Sequence, residues 1–291
     1  MSELPPSDPS RRALIRWGRD RLAEEGRENP RRVAEWLLMD GLALSRADLV
    51  AHPETTVSDT DATRFRAMVR RCATGEPMQH VLGHDTFYGL DLTITPAVLV
   101  PRPETEEVVE RLLERLADVD APRVLDVGTG SGCIALAVKH ERPNATVHAV
   151  DVSADALDVA QRNAERLDLT VHLAEVDVLS DRVAEHLPHD FDALVCNPPY
   201  IPNDEAGSLP ETVREYDPPL ALFAGDDPLR FYRALATLAP QVCRSGGLCL
   251  VEAHADYAAD VGALFRDGSL TDVHVETDLS GRPRIVRARV P

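Results

Sequence analysis

The sequence predicts an α/β protein: a doubly wound, seven-stranded, mostly parallel sheet with an N-terminal helical bundle and a β-hairpin linker. Three observations predict it. From residue 103 onward, apolar runs of strand length alternate with amphipathic segments of helical period. The first strand of that series runs into a glycine loop, Gly128-Thr129-Gly130-Ser131-Gly132. Before residue 81, by contrast, apolar residues recur only at helical spacing. The resulting domains are 1–80 (helical), 81–102 (hairpin linker) and 103–291 (sheet domain).

The first helix runs from Ser10 to about Glu25, with Leu14, Trp17 and Leu22 on one side. Asn29 caps a second helix that has Pro30 at its first position and Val33, Trp36, Leu37 and Leu38 as apolar residues. Both tryptophans are expected in the core. Ser45–Ala51 forms a short third helix. Ser58 or Thr60 caps a fourth with Phe65, Met68, Val69 and Cys72, which Gly75 and Pro77 end. Residues 86–100 read as a hairpin, because Leu90, Leu92 and Ile94 alternate with Asp91, Thr93 and Thr95. The strands that follow are Arg123–Val127, Thr146–Asp151, Val171–Val176, Phe191–Cys196, Leu248–Glu252, Thr271–Glu276 and Arg284–Val290. Helices Glu104–Ala117, Cys133–His140, Ala154–Leu167, Pro228–Ala239 and Asp256–Arg266 are interleaved, with a short helix near Ser180–His186. The last two strands are separated by only Asp278–Pro283, too short for a crossover helix, so they pair antiparallel.

Composition narrows the function. The 291 residues carry 49 acidic and 31 basic side chains, a net charge of −18, and Lys139 is the single lysine. Residues 1–80 hold 13 Arg and 13 acids, so the whole excess lies in residues 81–291. Such a surface does not suit binding nucleic acid by broad phosphate neutralisation. No apolar run approaches the roughly 18 residues needed to cross a bilayer, and Met1–Pro9 lacks the apolar core of a secretory signal. Five scattered cysteines without a CxxC pair give neither a disulfide framework nor a zinc ribbon. His80 and His84 are spaced like a metal pair, but no further ligands accompany them, so no metal site is assigned. A cytoplasmic monomer is expected.

Three constellations carry chemistry. In the glycine loop the backbone approaches a ligand closely, at the first strand–helix crevice where such sheets bind nucleotide-like molecules. Its G-x-G-x-G spacing, with Asp126 two residues upstream, suits a cationic ligand better than a pyrophosphate. No Gly-Lys-Ser/Thr ending is present, so ATP is excluded. Asp151 ends the second sheet-domain strand, where an acid accepts both hydroxyls of a ribose. Asp177 and Val178 follow the third, placed to flank an adenine ring. Asn197-Pro198-Pro199-Tyr200 follows the fourth. Paired prolines fix an extended turn that holds the Asn197 amide and the Pro198 carbonyl outward. Two such oxygens accept both hydrogens of a planar NH2 group, with Tyr200 stacking beside it. Glu104 and Glu106 read as acids in a helix's first turn, favoured by its dipole.

The glycine loop, Asp151 and the Asn-Pro-Pro-Tyr tetrad together resemble class I S-adenosylmethionine-dependent methyltransferases, a Rossmann-like family, that act on planar nitrogens. Phe87-Tyr88-Gly89-Leu90, the run Val100-Pro101-Arg102-Pro103-Glu104-Thr105-Glu106, Pro77-Met78-Gln79-His80 with Gly83, and Asn197–Ile201 narrow this. They resemble the HemK/PrmC family, which methylates peptide chain release factors. The likeness covers nearly the whole chain, and the Pro-Arg-Pro-Glu-Thr-Glu run, from which a sister group acting on a glutamine of a ribosomal protein usually departs, favours the release-factor reading. Position 178 departs from the family, with valine where an aromatic is common.

The resemblance implies methyl transfer from S-adenosyl-L-methionine, leaving S-adenosyl-L-homocysteine, to the N5 amide nitrogen of a glutamine in a Gly-Gly-Gln loop. It makes Asn197, Pro198 and Tyr200 catalytic, and Asn197, Pro198, Pro199 and Tyr200 substrate-binding. Gly128, Thr129, Gly130, Ser131, Gly132, Asp151, Asp177, Val178 and Asn197 would hold the cofactor, and residues 1–80 would recognise the substrate. No strong base neighbours the tetrad, so catalysis is expected to rest on positioning. Three other readings stay open: glutamine methylation of a ribosomal protein, an amino-methyltransferase of nucleic-acid bases, which would need a basic groove or a target-recognition domain, and a non-enzymatic cofactor-binding regulator.

Overall fold

Ser10 accepts a hydrogen bond from Ala13 N at 3.3 Å and so opens α1 (Arg11–Glu24) in the computed structural model, which describes residues 9–291. Residues 1–8 of the N-terminal stretch considered above lie outside the described residues. Pro30 begins α2 (Pro30–Gly41), but Asn29 sits at φ 48° and makes no side-chain cap. The proline's fixed φ and missing N–H are enough to start the helix. Ser45 and Asp48 form a capping box on α3 (Arg46–Ala51), and Ser58 rather than Thr60 caps α4 (Asp59–Ala73). Periodicity misses α5 (Met78–Leu82), because its 5 residues span little more than one turn.

These helices form one unit, which ends at His84 and also contains the short helix Glu211–Tyr216. Its core gathers Leu14, Leu22, Leu37, Leu38, Phe65 and Val69. At Gly18 a Cβ would meet Phe65, Ala34 and Val69 at 3.0–3.2 Å, so glycine permits the close approach of α1, α2 and α4. Trp17 packs edge-on against Phe65, with centroids 6.4 Å apart. Trp36 corrects the expectation of two core tryptophans: it is 40% exposed, with the Arg32 guanidinium 5.6 Å from its ring. The buried stripe of α2 runs through Ala34, Leu37 and Leu38, and residue 36 lies off it.

The second unit begins at Asp85, one residue into the hairpin of β1 (His84–Phe87) and β2 (Leu90–Thr93). Tyr88 and Gly89 both have positive φ (49° and 78°), as a tight two-residue hairpin turn requires. The strands are shorter than the 86–100 expected. Ile94, Val98 and Val100 instead join Phe87, Leu90 and Leu92 in the core of this unit. Asn163 secures the hairpin: its side chain exchanges hydrogen bonds with the backbone of Thr93 at 2.7 and 3.1 Å.

Next come α6 (Pro103–Arg115), β3 (Arg123–Val127), α7 (Cys133–Glu141), β4 (Thr146–Asp151), α8 (Ala154–Arg166), β5 (His172–Glu175) and β6 (Phe191–Cys196). Periodicity does not show the small parallel pair β7 (Ile201–Pro202) and β8 (Phe223–Gly225), nor α9 (Glu211–Tyr216) and α10 (Pro219–Leu222) between them. The chain closes with α11 (Arg230–Val242), β9 (Cys243–Glu252), α12 (Ala258–Asp267), β10 (Thr271–Thr277) and β11 (Pro283–Arg289).

The sheet has seven strands in the order β10-β11-β9-β6-β3-β4-β5. Only β11 runs against the others, pairing antiparallel with both β9 and β10. Alternation along each central strand feeds two cores. Val124, Ala193, Val195, Leu248 and Leu250 face α6, α7 and α8, whereas Leu125, Leu194, Cys249 and Val251 face α11 and α12. The strand order reverses between β3 and β6, which leaves a crevice at their carboxyl ends. No helix among the described residues is long and apolar enough to cross a membrane.

Candidate active site

Because β3, β4, β5 and β6 run parallel, the residues after each arrive at one edge of the sheet. A cavity of about 310 Å³ lies there. Gly128, Thr129, Gly130 and Ser131 of the glycine loop line it, with Asp151 from the end of β4 and Asp177 and Val178 from beyond β5. Asn197, Pro198 and Pro199 close the side beyond β6. Gly132 and Tyr200 are outside this lining.

The loop is braced from within. Gly128 and Gly130 have φ of 71° and 55°, and a Cβ at either would meet no atom within 4 Å. Gly132 differs: at φ 83° its Cβ would press on Leu136 and Ala160 at 3.1 and 3.2 Å, so glycine here serves helix packing. Asp151 accepts from Gly130 N at 2.9 Å and Ser153 N at 3.0 Å, and burial raises its pKa. Each carboxylate oxygen keeps a second lone pair.

Asp126 does not face the cavity as its position suggested. It is fully buried, and its Oδ2 accepts from Thr129 Oγ1 at 2.7 Å and Ala135 N at 3.2 Å, tying the loop to α7. Burial pushes its pKa up to about 7. The folded state therefore holds the proton more tightly than the unfolded chain. That stabilisation is complete below the ordinary aspartate value and is lost as pH rises through about 7. An Asp126→Asn variant has no such proton. In urea melts at pH 4.5 and 7.5, wild type should lose on the order of 3 kcal/mol more than the variant. A constant difference between the two proteins would refute the raised pKa.

Asn197 is held by residues that sequence reasoning passed over. Its Nδ2 donates to Thr105 Oγ1 at 3.1 Å, and that hydroxyl donates to Glu252 Oε2 at 2.7 Å. Glu252 is 1% exposed, and burial pushes its pKa up to about 7. Tyr200 turns instead toward the α11–α12 core, 5.7 Å from the His254 ring, and burial raises its hydroxyl to about 12. Glu106 does more than complement the dipole of α6: its Oε1 accepts from Tyr88 N at 2.6 Å and anchors the hairpin turn. At the cavity mouth Arg102 pairs with buried Asp217 at 2.7 Å, next to Pro218. Leu220, 67% exposed, and Phe231 add an apolar rim.

The chain is similar to known proteins along most of its length. The PrmC N-terminal domain matches residues 13–83, and the methyltransferase small domain matches 104–209. A release factor glutamine methyltransferase of Chlorobaculum tepidum is 43% identical over 263 residues, covering 88% of this chain and 89% of its own. One from Geobacter sulfurreducens is 40% identical and covers 96% of each chain.

The chain belongs to the release factor glutamine methyltransferase family.

Among solved structures, the catalytic domain of hMettl16 is 17% identical, with a TM-score of 0.52, covering 81% of this chain and 84% of that one; it shares the fold. A release factor-specific protein-(glutamine-N5) methyltransferase from Alicyclobacillus acidocaldarius is 30% identical over 69% of this chain and 100% of its own, with a TM-score of 0.42. Within the family's Pro-Arg-Pro-Glu-Thr-Glu run, then, Arg102, Thr105 and Glu106 each have a distinct partner. Glu252 could have been noticed as a charged residue ending an otherwise apolar strand. Asn163, fully buried on α8, left no comparable sign.

Proposed function

We propose that this chain transfers a methyl group from S-adenosyl-L-methionine to the N5 amide nitrogen of the glutamine in the Gly-Gly-Gln loop of peptide chain release factors. The observation that carries this reading is the Asn197-Pro198 corner at the cavity wall, with the Asn197 amide nitrogen already engaged by Thr105. The amide oxygen and the Pro198 carbonyl then serve as the two acceptors that a planar NH2 group needs. High identity to named release factor glutamine methyltransferases along most of the chain supports the same substrate.

The residues present fit the cofactor. Asp151 keeps lone pairs for the ribose hydroxyls, and the open space at Gly128 and Gly130 admits a ligand against the backbone. Thr129 and Ser131 complete the loop, while Asp177 and Val178 flank the adenine, valine giving van der Waals contact rather than ring stacking. S-adenosyl-L-methionine, when bound, supplies a methyl group on a cationic sulfur. Asn197 and Pro198 hold the glutamine NH2 hydrogens and aim the nitrogen lone pair at that methyl carbon. Their hydrogen bonds also favour the positive charge that the nitrogen gains as the C–N bond forms and the C–S bond breaks. The excess proton leaves to water. The helical unit serves substrate recognition, and the protein acts as a monomer in the cytoplasm, without contacting nucleic acid.

The test incubates the protein with labelled S-adenosyl-L-methionine and, separately, purified release factor, a ribosomal protein and RNA. Label at the Gly-Gly-Gln glutamine, located by mass spectrometry, is the expected result. Label in RNA or the ribosomal protein, with none in the release factor, would sink this reading.

A further inference from the structure

We propose that Thr105 and Glu252 are positioning residues for the transfer, together dictating which end of the Asn197 side-chain amide the substrate meets. This rests on the reading that Asn197 accepts a hydrogen from the substrate amide. Sheet register creates the juxtaposition. Cys196 of β6 pairs with Val251 of β9, so the residues that follow, Asn197 and Glu252, are neighbours. Alternation puts both on the face that α6 covers, and α6 brings Thr105 between them, 2% exposed.

Hydrogen-bond polarity does the rest. A threonine hydroxyl has one hydrogen to give. Here it goes to Glu252 Oε2, 2.7 Å away, which as an ionised carboxylate oxygen can only accept. Toward Asn197, Thr105 Oγ1 is therefore an acceptor, and only the NH2 end of the amide satisfies it at 3.1 Å. A flipped amide would set oxygen against oxygen with no hydrogen between them. Amide nitrogen and oxygen are nearly alike in size, so packing alone would not choose. The Glu252–Thr105 chain chooses, and it leaves Oδ1 as the acceptor that Asn197 offers to the cavity.

The test uses full-length protein, purified release factor and labelled S-adenosyl-L-methionine. Thr105→Val keeps the shape and removes the hydroxyl. It should lower kcat by about 10-fold or more while the cofactor Kd, by calorimetry, stays within about threefold. Thr105→Ser should restore most of the rate, which a purely structural role for the γ-methyl would not allow. Glu252→Gln should lower kcat and add no further loss on top of Thr105→Val, because both act through one chain. A Thr105→Val rate within twofold of wild type, or a serine variant as slow as the valine one, would overturn the proposal. An independent arm follows the Asn197 side-chain NH2 signals by NMR, assigned by their absence in Asn197→Ala. One slowly exchanging hydrogen is expected in wild type and Thr105→Ser and not in Thr105→Val; fast exchange of both in wild type overturns the proposal. Should wild type fail to methylate release factor, the substrate reading falls, and the NMR arm still decides this inference.

Discussion

Asn197→Ala should slow methyl transfer by roughly 10²–10³-fold, a loss comparable to removing one preorganised oxyanion donor from a hydrolase. The cofactor Kd should change by no more than about threefold, since on the proposed reading Asn197 acts on the substrate nitrogen. An amide nitrogen is a poor nucleophile because its lone pair is delocalised into the carbonyl, and the tetrad itself carries no strong base to compensate. Orientation is what the site supplies. Single-turnover rates and calorimetric cofactor titrations on the same preparation check it. Parallel losses in rate and cofactor affinity would show that Asn197 merely holds the pocket together.

Asp151→Ala should act on the other quantity. Its carboxylate braces Gly130 N and Ser153 N, and on the proposed reading its remaining lone pairs hold the ribose. Hydrogen bonds to a charged group are worth roughly 1.5–3 kcal/mol each. Losing the ribose contacts should therefore raise the cofactor Kd on the order of 10²-fold, more with the loop unbraced. Under saturating cofactor the transfer rate should recover most of its value. A Kd within threefold of wild type would mean that Asp151 only braces the glycine loop.

Much of this site was legible in the sequence because its parts follow strand ends. Strands β3, β4 and β6 were placed residue for residue, since each is an apolar run with sharp polar or glycine boundaries. Once a parallel doubly wound sheet is inferred, whatever follows those strands must converge on one edge. The glycine loop, Asp151 and Asn197 did so. The segment from Ile201 to Gly225 was opaque for the opposite reason. Its helices are 4 to 6 residues and its strands 2 and 3 residues long, below the length at which a period can be recognised.

Asp126 and Tyr200 show that position in the chain does not settle where a side chain points. Both flank functional loops, yet Asp126 is drawn into the interior by Thr129 and α7, and Tyr200 packs toward α11 and α12. Side-chain direction at a strand end depends on what the opposing layer presents, and that is a non-local fact.

Strand–helix alternation and turn chemistry are local, so the fold class, the antiparallel final pair and the residues that follow each strand can be read from the chain alone. The order of the strands and the polarity of Asn197 cannot, because they depend on distant partners. The side chain of Asn197 is set by Thr105, 92 positions earlier, whose hydroxyl is set in turn by Glu252, 147 positions after it. No spacing rule links those three residues; the shared face of neighbouring strands does, and the helix laid across it.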